Sequence, residues 1–367
     1  MSFKKETPLA NAVFWAARKG NLALLQLLLN SGRVDADCKD SYGTTALMVA
    51  SYSGHYDCVK ELIMQGADIN LQREKNSQAS RYLGSSWRTD RHIYVRKLRD
   101  SESSHMMLKS GATALFLASQ QGHNDIVKLL FEFGASTEFK TKDGGTALSA
   151  ACQHGRSSVV ETLLRNGAGM HDQLNDGATP LFLAAQEGHL TVIRQLLSSG
   201  AKVNHPREDG TTPLWMAAQM GHSEVVKVLL LRGAERDADR KVSIADPWHS
   251  AHQLPDVATP GMLLQQSRGS FRTFWDGTTA LFKAAFKGHN SVVEELLKFS
   301  PSLGLLKNGS TALHAAVMGG NLRAVVLLLR ANADPTLTNK NKELPADVTK
   351  NERILRLLRT RMVDGGS

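Results

Sequence analysis

Leu115, Leu148, Leu181 and Leu214 each close a Thr-Ala-Leu or Thr-Pro-Leu triplet, and each lies 33 residues from the next. A fixed period of this length constrains the fold more than composition does. One 33-residue unit cannot bury its apolar face alone, so it stacks on its neighbours. The copies read GATALFLASQQGH from Gly111, GGTALSAACQHGR from Gly144, GATPLFLAAQEGH from Gly177 and GTTPLWMAAQMGH from Gly210. Each continues into an apolar pair and a leucine-rich run, such as Val225, Val226, Leu229 and Leu230, and ends in Gly-Ala, here Gly233 and Ala234. This order of signals predicts a turn, a short helix, a tight glycine link, a second helix and a glycine stop.

The pattern resembles the ankyrin repeat, a β-turn plus two antiparallel helices with a T-P-L-H-x-A signature. Outlying copies fit it too, with Leu47 in GTTALMVASYSGH, Leu281 in GTTALFKAAFKGH and Leu313 in GSTALHAAVMGGN. The resemblance implies an all-α ankyrin-repeat solenoid of about nine helix-turn-helix units with β-turn tips. The units fall at about 41–74, 110–142, 143–175, 176–208, 209–240, 276–307 and 308–340. Degenerate copies at about 7–40 and 341–360 are expected as caps, because a terminal unit has one face in water.

Two intervals break the period. Leu47 to Leu115 and Leu214 to Leu281 run 35 and 34 residues beyond one period. The surplus is placed as two long loops, 75–109 and 241–275, at the tip that joins one unit to the next, within a single array spanning 1–367. Lengthening a surface loop costs about 0.6 kcal/mol per doubling, so the array is expected to survive both. Neither segment carries a helical period, and their Ser, Gly, Pro and charged content predicts flexible loops. A further reading holds them foreign to the natural protein, which would then be a plain nine-unit array.

Composition excludes several classes. No apolar run approaches the roughly 18 residues of a membrane span, and the opening MSFKKETPLA lacks the apolar core of a secretory signal. A cytoplasmic or nuclear address is the expectation. Cys38, Cys58 and Cys152 lack C-x-x-C spacing and predict buried apolar packing, not disulfides or thiolate metal sites. The sequence contains no phosphate loop, G-x-G-x-x-G after a strand, H-E-x-x-H or nucleophile elbow, so neither an enzyme nor a cofactor is expected.

His55, His123, His189, His222 and His289 each follow the glycine between the two helices of a unit. Recurring about once per repeat thickness, roughly 10 Å, they are too far apart to share one metal. The expectation is instead that they tie neighbouring turns together by bonding backbone groups at helix ends. No metal site is predicted.

The resemblance implies a protein partner held on the concave face, formed by the turn tips and the exposed side of each first helix. The pairs before the glycine junction supply candidate contacts: Tyr52, Gln120 and Gln121, Gln153 and His154, Gln186 and Glu187, Gln219 and Met220, Phe286 and Lys287. Four glutamines 33 apart are expected to form a solvent-facing amide row for an extended peptide, with Tyr52, Met220 and Phe286 as apolar anchors. The bland alternative is a soluble surface inherited by duplication. A different class of function rests on charge: residues 75–109 hold eight Lys or Arg against three Asp or Glu, +5 of the chain's +9. Such a segment could tether the array to an anionic membrane surface or to nucleic acid. A monomer without a small-molecule substrate is expected.

Overall fold

A computed structural model of the chain describes residues 8–40, 42–74, 110–240, 277–307 and 309–364. Among the described residues there are seventeen helices and no strand. Residues 75–109, and 241–275 with Asp276, lie outside them, so the two expected loops are not among the elements below. The chain packs as two compact units, residues 1–175 and 176–367, divided between two of the repeats predicted from the sequence.

In the first unit the helices are α1 (Pro8–Lys19), α2 (Leu22–Asn30), α3 (Ala46–Ser53), α4 (Tyr56–Met64), α5 (Ala114–Gln121), α6 (Asn124–Glu132), α7 (Ala147–Gln153) and α8 (Ser157–Arg165). The second contains α9 (Pro180–Glu187), α10 (Leu190–Ser198), α11 (Pro213–Met220), α12 (Ser223–Leu231), α13 (Ala280–Lys287), α14 (Asn290–Leu297), α15 (Ala312–Met318), α16 (Leu322–Arg330) and α17 (Glu352–Asp364). Within each unit, the first helices of successive repeats pack on one another and the second helices form a parallel layer.

The repeated triplet specifies how each first helix begins. Its threonine is the N-cap: Thr45, Thr113, Thr146, Thr179, Thr212, Thr279 and Thr311 hold extended backbone, and each Oγ1 accepts the N–H three residues on. Its proline, where present, is the first helical residue, Pro180 or Pro213, where no intrahelical N–H bond is lost. Its leucine is core, with Leu47, Leu115, Leu148, Leu181, Leu214, Leu281 and Leu313 all at most 2% exposed. Most first helices stop after two turns at a left-handed glycine, as at Gly122 (φ +92°) and Gly188 (φ +80°).

The turn tips close identically whether or not extra chain intervenes. In an uninterrupted tip the Thr141 N–H donates to the Gly145 carbonyl at 2.8 Å, and the Gly144 N–H to the Thr141 carbonyl at 2.9 Å. The same two bonds join Arg73 to Ala112 (2.9 Å) and Gly111 to Arg73 (2.8 Å), and Arg240 to Thr278 (3.0 Å) and Gly277 to Arg240 (2.8 Å). Both intervening segments therefore leave and re-enter the array through a closed tip. Each starts beside a buried arginine stacked on an aromatic ring of its own repeat, Arg73 on Tyr42 at 5.7 Å and Arg240 on Trp215 at 5.4 Å.

The ends depart from the consensus. Helix α1 opens at Pro8 without the Thr-Pro-Leu turn, leaving Trp15 half exposed. At the other end a short turn around Ala346 replaces a first helix, and α17 follows it.

Candidate partner-binding surface

The Gly-His junction is built by two repeats at once. At these junctions a left-handed glycine ends the first helix, and the histidine after it caps the second helix without using its side chain. The ring is then free to reach the preceding repeat. His55 Nε2 bonds the Arg18 carbonyl at 2.9 Å, His123 the Tyr52 carbonyl at 3.2 Å, His222 the Gln186 carbonyl at 2.9 Å and His289 the Gln219 carbonyl at 2.9 Å. Where the histidine is replaced, Arg156 donates to the Gln120 carbonyl at 3.2 Å and Asn321 to the Phe286 carbonyl at 2.7 Å. These carbonyls lie in the last turn of a first helix, which has no intrahelical N–H for them.

The rings also explain the glycines. A Cβ on Gly188 would lie 2.7 Å from Nδ1 of His222, and one on Gly20 2.6 Å from Nδ1 of His55. Burial pushes the His289 ring below the ordinary imidazole range, against the bond to Gln219. A neutral ring donating one N–H to the Gln219 carbonyl fits His289. Among the described residues no three His, Cys, Asp or Glu gather to hold a metal ion.

The candidate contact residues flank these joints. Tyr52, Gln120, Gln153, Gln186, Gln219 and Phe286 are half-buried, so the row expected to face solvent is only partly open to it. Tyr52 packs with Leu71 against the cluster of Met48, Phe116 and Leu117. The Gln186 amide donates to Glu187 at 3.0 Å, and the Gln219 side-chain oxygen is buried. Of the second positions, Gln121 is half-buried, whereas His154, Glu187, Met220 and Lys287 are exposed. The His154 ring turns back to donate to the Ala150 carbonyl at 3.0 Å. Tyr52, Gln120, Gln121, Gln153 and His154 belong to the first compact unit, and Gln186, Glu187, Gln219, Met220, Phe286 and Lys287 to the second.

Beneath that surface in the second unit lies a network absent from the sequence reading. Asp209, 3% exposed, binds Arg207 at 2.6 Å and Arg240 at 3.0 Å. Arg207 stacks on Phe182 at 5.5 Å, and the Trp215 ring has Arg240 and Lys283 each 5.4 Å from its centre. The Trp215 Nε1 donates to the Thr278 carbonyl at 3.1 Å. Burial alone would raise the Asp209 carboxyl, but hydrogen bonds from Arg207 and Thr211 and the two guanidinium charges hold it down at about 2. Lys283 is itself 2% exposed, and burial, helped by Lys287 and Arg240, lowers its ammonium to about 7. A signal was present in the repeat alignment: Lys283 occupies the column of Val49, Leu117, Ala150, Leu183, Met216 and Ala315.

Capped two-helix units, glycine junctions and cross-repeat side-chain bonds define a class of protein. A family model described as Ankyrin repeats (3 copies) matches residues 4–73, 92–173, 158–240 and 259–339, and the chain belongs to the ankyrin-repeat family. Within that family it is 68% identical to Ankyrin repeat domain-containing protein 29 of Danio rerio over 367 residues, the whole of both chains. It is 60% identical to the protein of the same name from Homo sapiens over 361 residues, 98% of this chain and 97% of the relative. Among solved structures, the ankyrin repeat domain of Bcl-3 superposes with a TM-score of 0.53 at 27% identity, over 68% of this chain and 99% of that domain. Ankyrin repeats are in general protein-interaction modules.

Proposed function

We propose that the chain is a non-enzymatic cytoplasmic scaffold that binds a protein partner on the exposed side of its first helices. The observation that carries this reading is the division of labour at the junction. Side chains from the next repeat tie down the backbone of Tyr52, Gln120, Gln186, Gln219 and Phe286, while the neighbouring residues Glu187, Met220 and Lys287 stay exposed on the same helix ends. A surface held this way loses little conformational entropy when a partner docks, which leaves more of the contact energy for affinity. The exposed Met220 supplies a flexible apolar contact, and Glu187 and Lys287 set charge preference.

Capture from cell extract, with partners identified by mass spectrometry, tests this. The Glu187→Lys and Met220→Glu double variant is expected to lose a protein captured by the parent chain, with its melting temperature unchanged because both side chains are exposed. A partner set identical for parent and variant would exclude this face. The tether reading predicts instead that deleting residues 75–109 releases RNA or anionic vesicles, with steep salt dependence.

A further inference from the structure

Helix α17 differs from the other helices in charge. Arg353, Arg356 and Arg359 lie three residues apart on the side opposite the buried Ile354 and Leu358, and all three are exposed. At 1.5 Å of rise per residue they form a row with about 4.5 Å between successive members. Among the described residues none of the three has an acidic partner. Several other arginines of the same unit are paired, with Arg207 and Arg240 sharing Asp209 and Arg323 binding Glu294.

The helix dipole accounts for cations in the last turn, where Arg359 and Arg361 sit. It opposes Arg353, the second residue of the helix, where the positive end lies. The apolar side of α17 rests on α16, so it is not available to sink into lipid. The helix carries no aromatic side chain on which a nucleic-acid base could stack. With no apolar face to insert and no aromatic platform, the row offers planar guanidiniums alone, and each accommodates a carboxylate in a two-bond fork.

We propose that Arg353, Arg356 and Arg359 dock an acidic segment of a protein partner, with carboxylates spaced three to four residues apart on a helix. The site is independent of the first-helix face. The full chain is titrated by fluorescence anisotropy with a labelled glutamate-rich helical peptide. Replacing the three arginines together by glutamine is expected to weaken binding about tenfold or more without changing the melting temperature. Replacing them by lysine, which keeps the charge and removes the forks, should give an intermediate affinity. A control variant with Lys60, Lys128 and Arg165 changed to glutamine removes the same charge elsewhere and should leave affinity within about twofold. Equal weakening by control and row variants overturns the proposal. So does failure of the parent chain to bind the peptide, or row-dependent binding only of a single-stranded RNA oligomer or of phosphatidylserine vesicles.

Discussion

Lys283 is the residue whose behaviour the repeat pattern disguises. It sits in a column that is apolar in every other unit with a Thr-x-Leu turn, and it is buried among other cations beside Trp215. An unfolded lysine keeps its proton to about pH 10.4, whereas the folded one releases it near 7. Between these values the unfolded chain binds more protons, so stability rises with pH across that window and is lost as pH falls through it. Replacing Lys283 by Met, close to it in volume, is expected to raise stability at pH 7 by about 1 to 4 kcal/mol. The variant should also flatten the rise in melting temperature between pH 7 and 10. A lower midpoint for the variant at pH 7 would mean that the contact with Trp215 outweighs desolvation. Asp209 lies near the opposite limit, since its two arginines stabilise the ionised form more than burial opposes it.

At the scale of the element, the short first helix and its glycine stop are one device with the next repeat's junction side chain. Gly188 and Gly200 both have positive φ, +80° and +97°, so an alanine at either meets backbone strain of roughly 1 to 2 kcal/mol. They differ in surroundings: a Cβ at Gly188 would strike the His222 ring, while one at Gly200 would meet nothing within 4 Å. Gly188→Ala should therefore cost about 1 kcal/mol more than Gly200→Ala in chemical denaturation, the worth of the displaced hydrogen bond to the Gln186 carbonyl. Adding His222→Ala to each should erase that difference. Persistence of the gap without the ring would show that something other than the His222 contact distinguishes the two sites. The helix itself was legible beforehand, since a threonine cap, a proline or alanine and a buried leucine recur at fixed spacing. The direction in which each junction side chain reaches was not, because its partner lies 35 to 37 residues earlier in an uninterrupted pair of repeats such as His55 and Arg18.

On the scale of the molecule, the closed tips make a strong prediction about the extra chain. An uninterrupted tip has two residues between its hydrogen-bonded ends, Lys142 and Asp143 between Thr141 and Gly144. Joining Glu74 to Ser110, and Lys241 to Asp276, restores that number in both interrupted tips. The shortened chain is expected to keep its helical content and to melt at or above the parent, because each halving of a loop recovers about 0.6 kcal/mol of closure entropy. A cooperative transition that disappears on excision, followed by circular dichroism, would show that the removed segments belong to the core. Sequence alone determined the period, the caps, the leucine stripe and the places where the period breaks, because each is a local backbone or burial requirement repeated in register. Only the tertiary structure decided that the glutamine positions are half-buried, that the junction histidines bond the preceding repeat and that Arg240, Asp209, Trp215 and Lys283 meet in one network. Those outcomes depend on which side chains are brought together when one repeat stacks on another, and spacing along a single chain does not encode that distance.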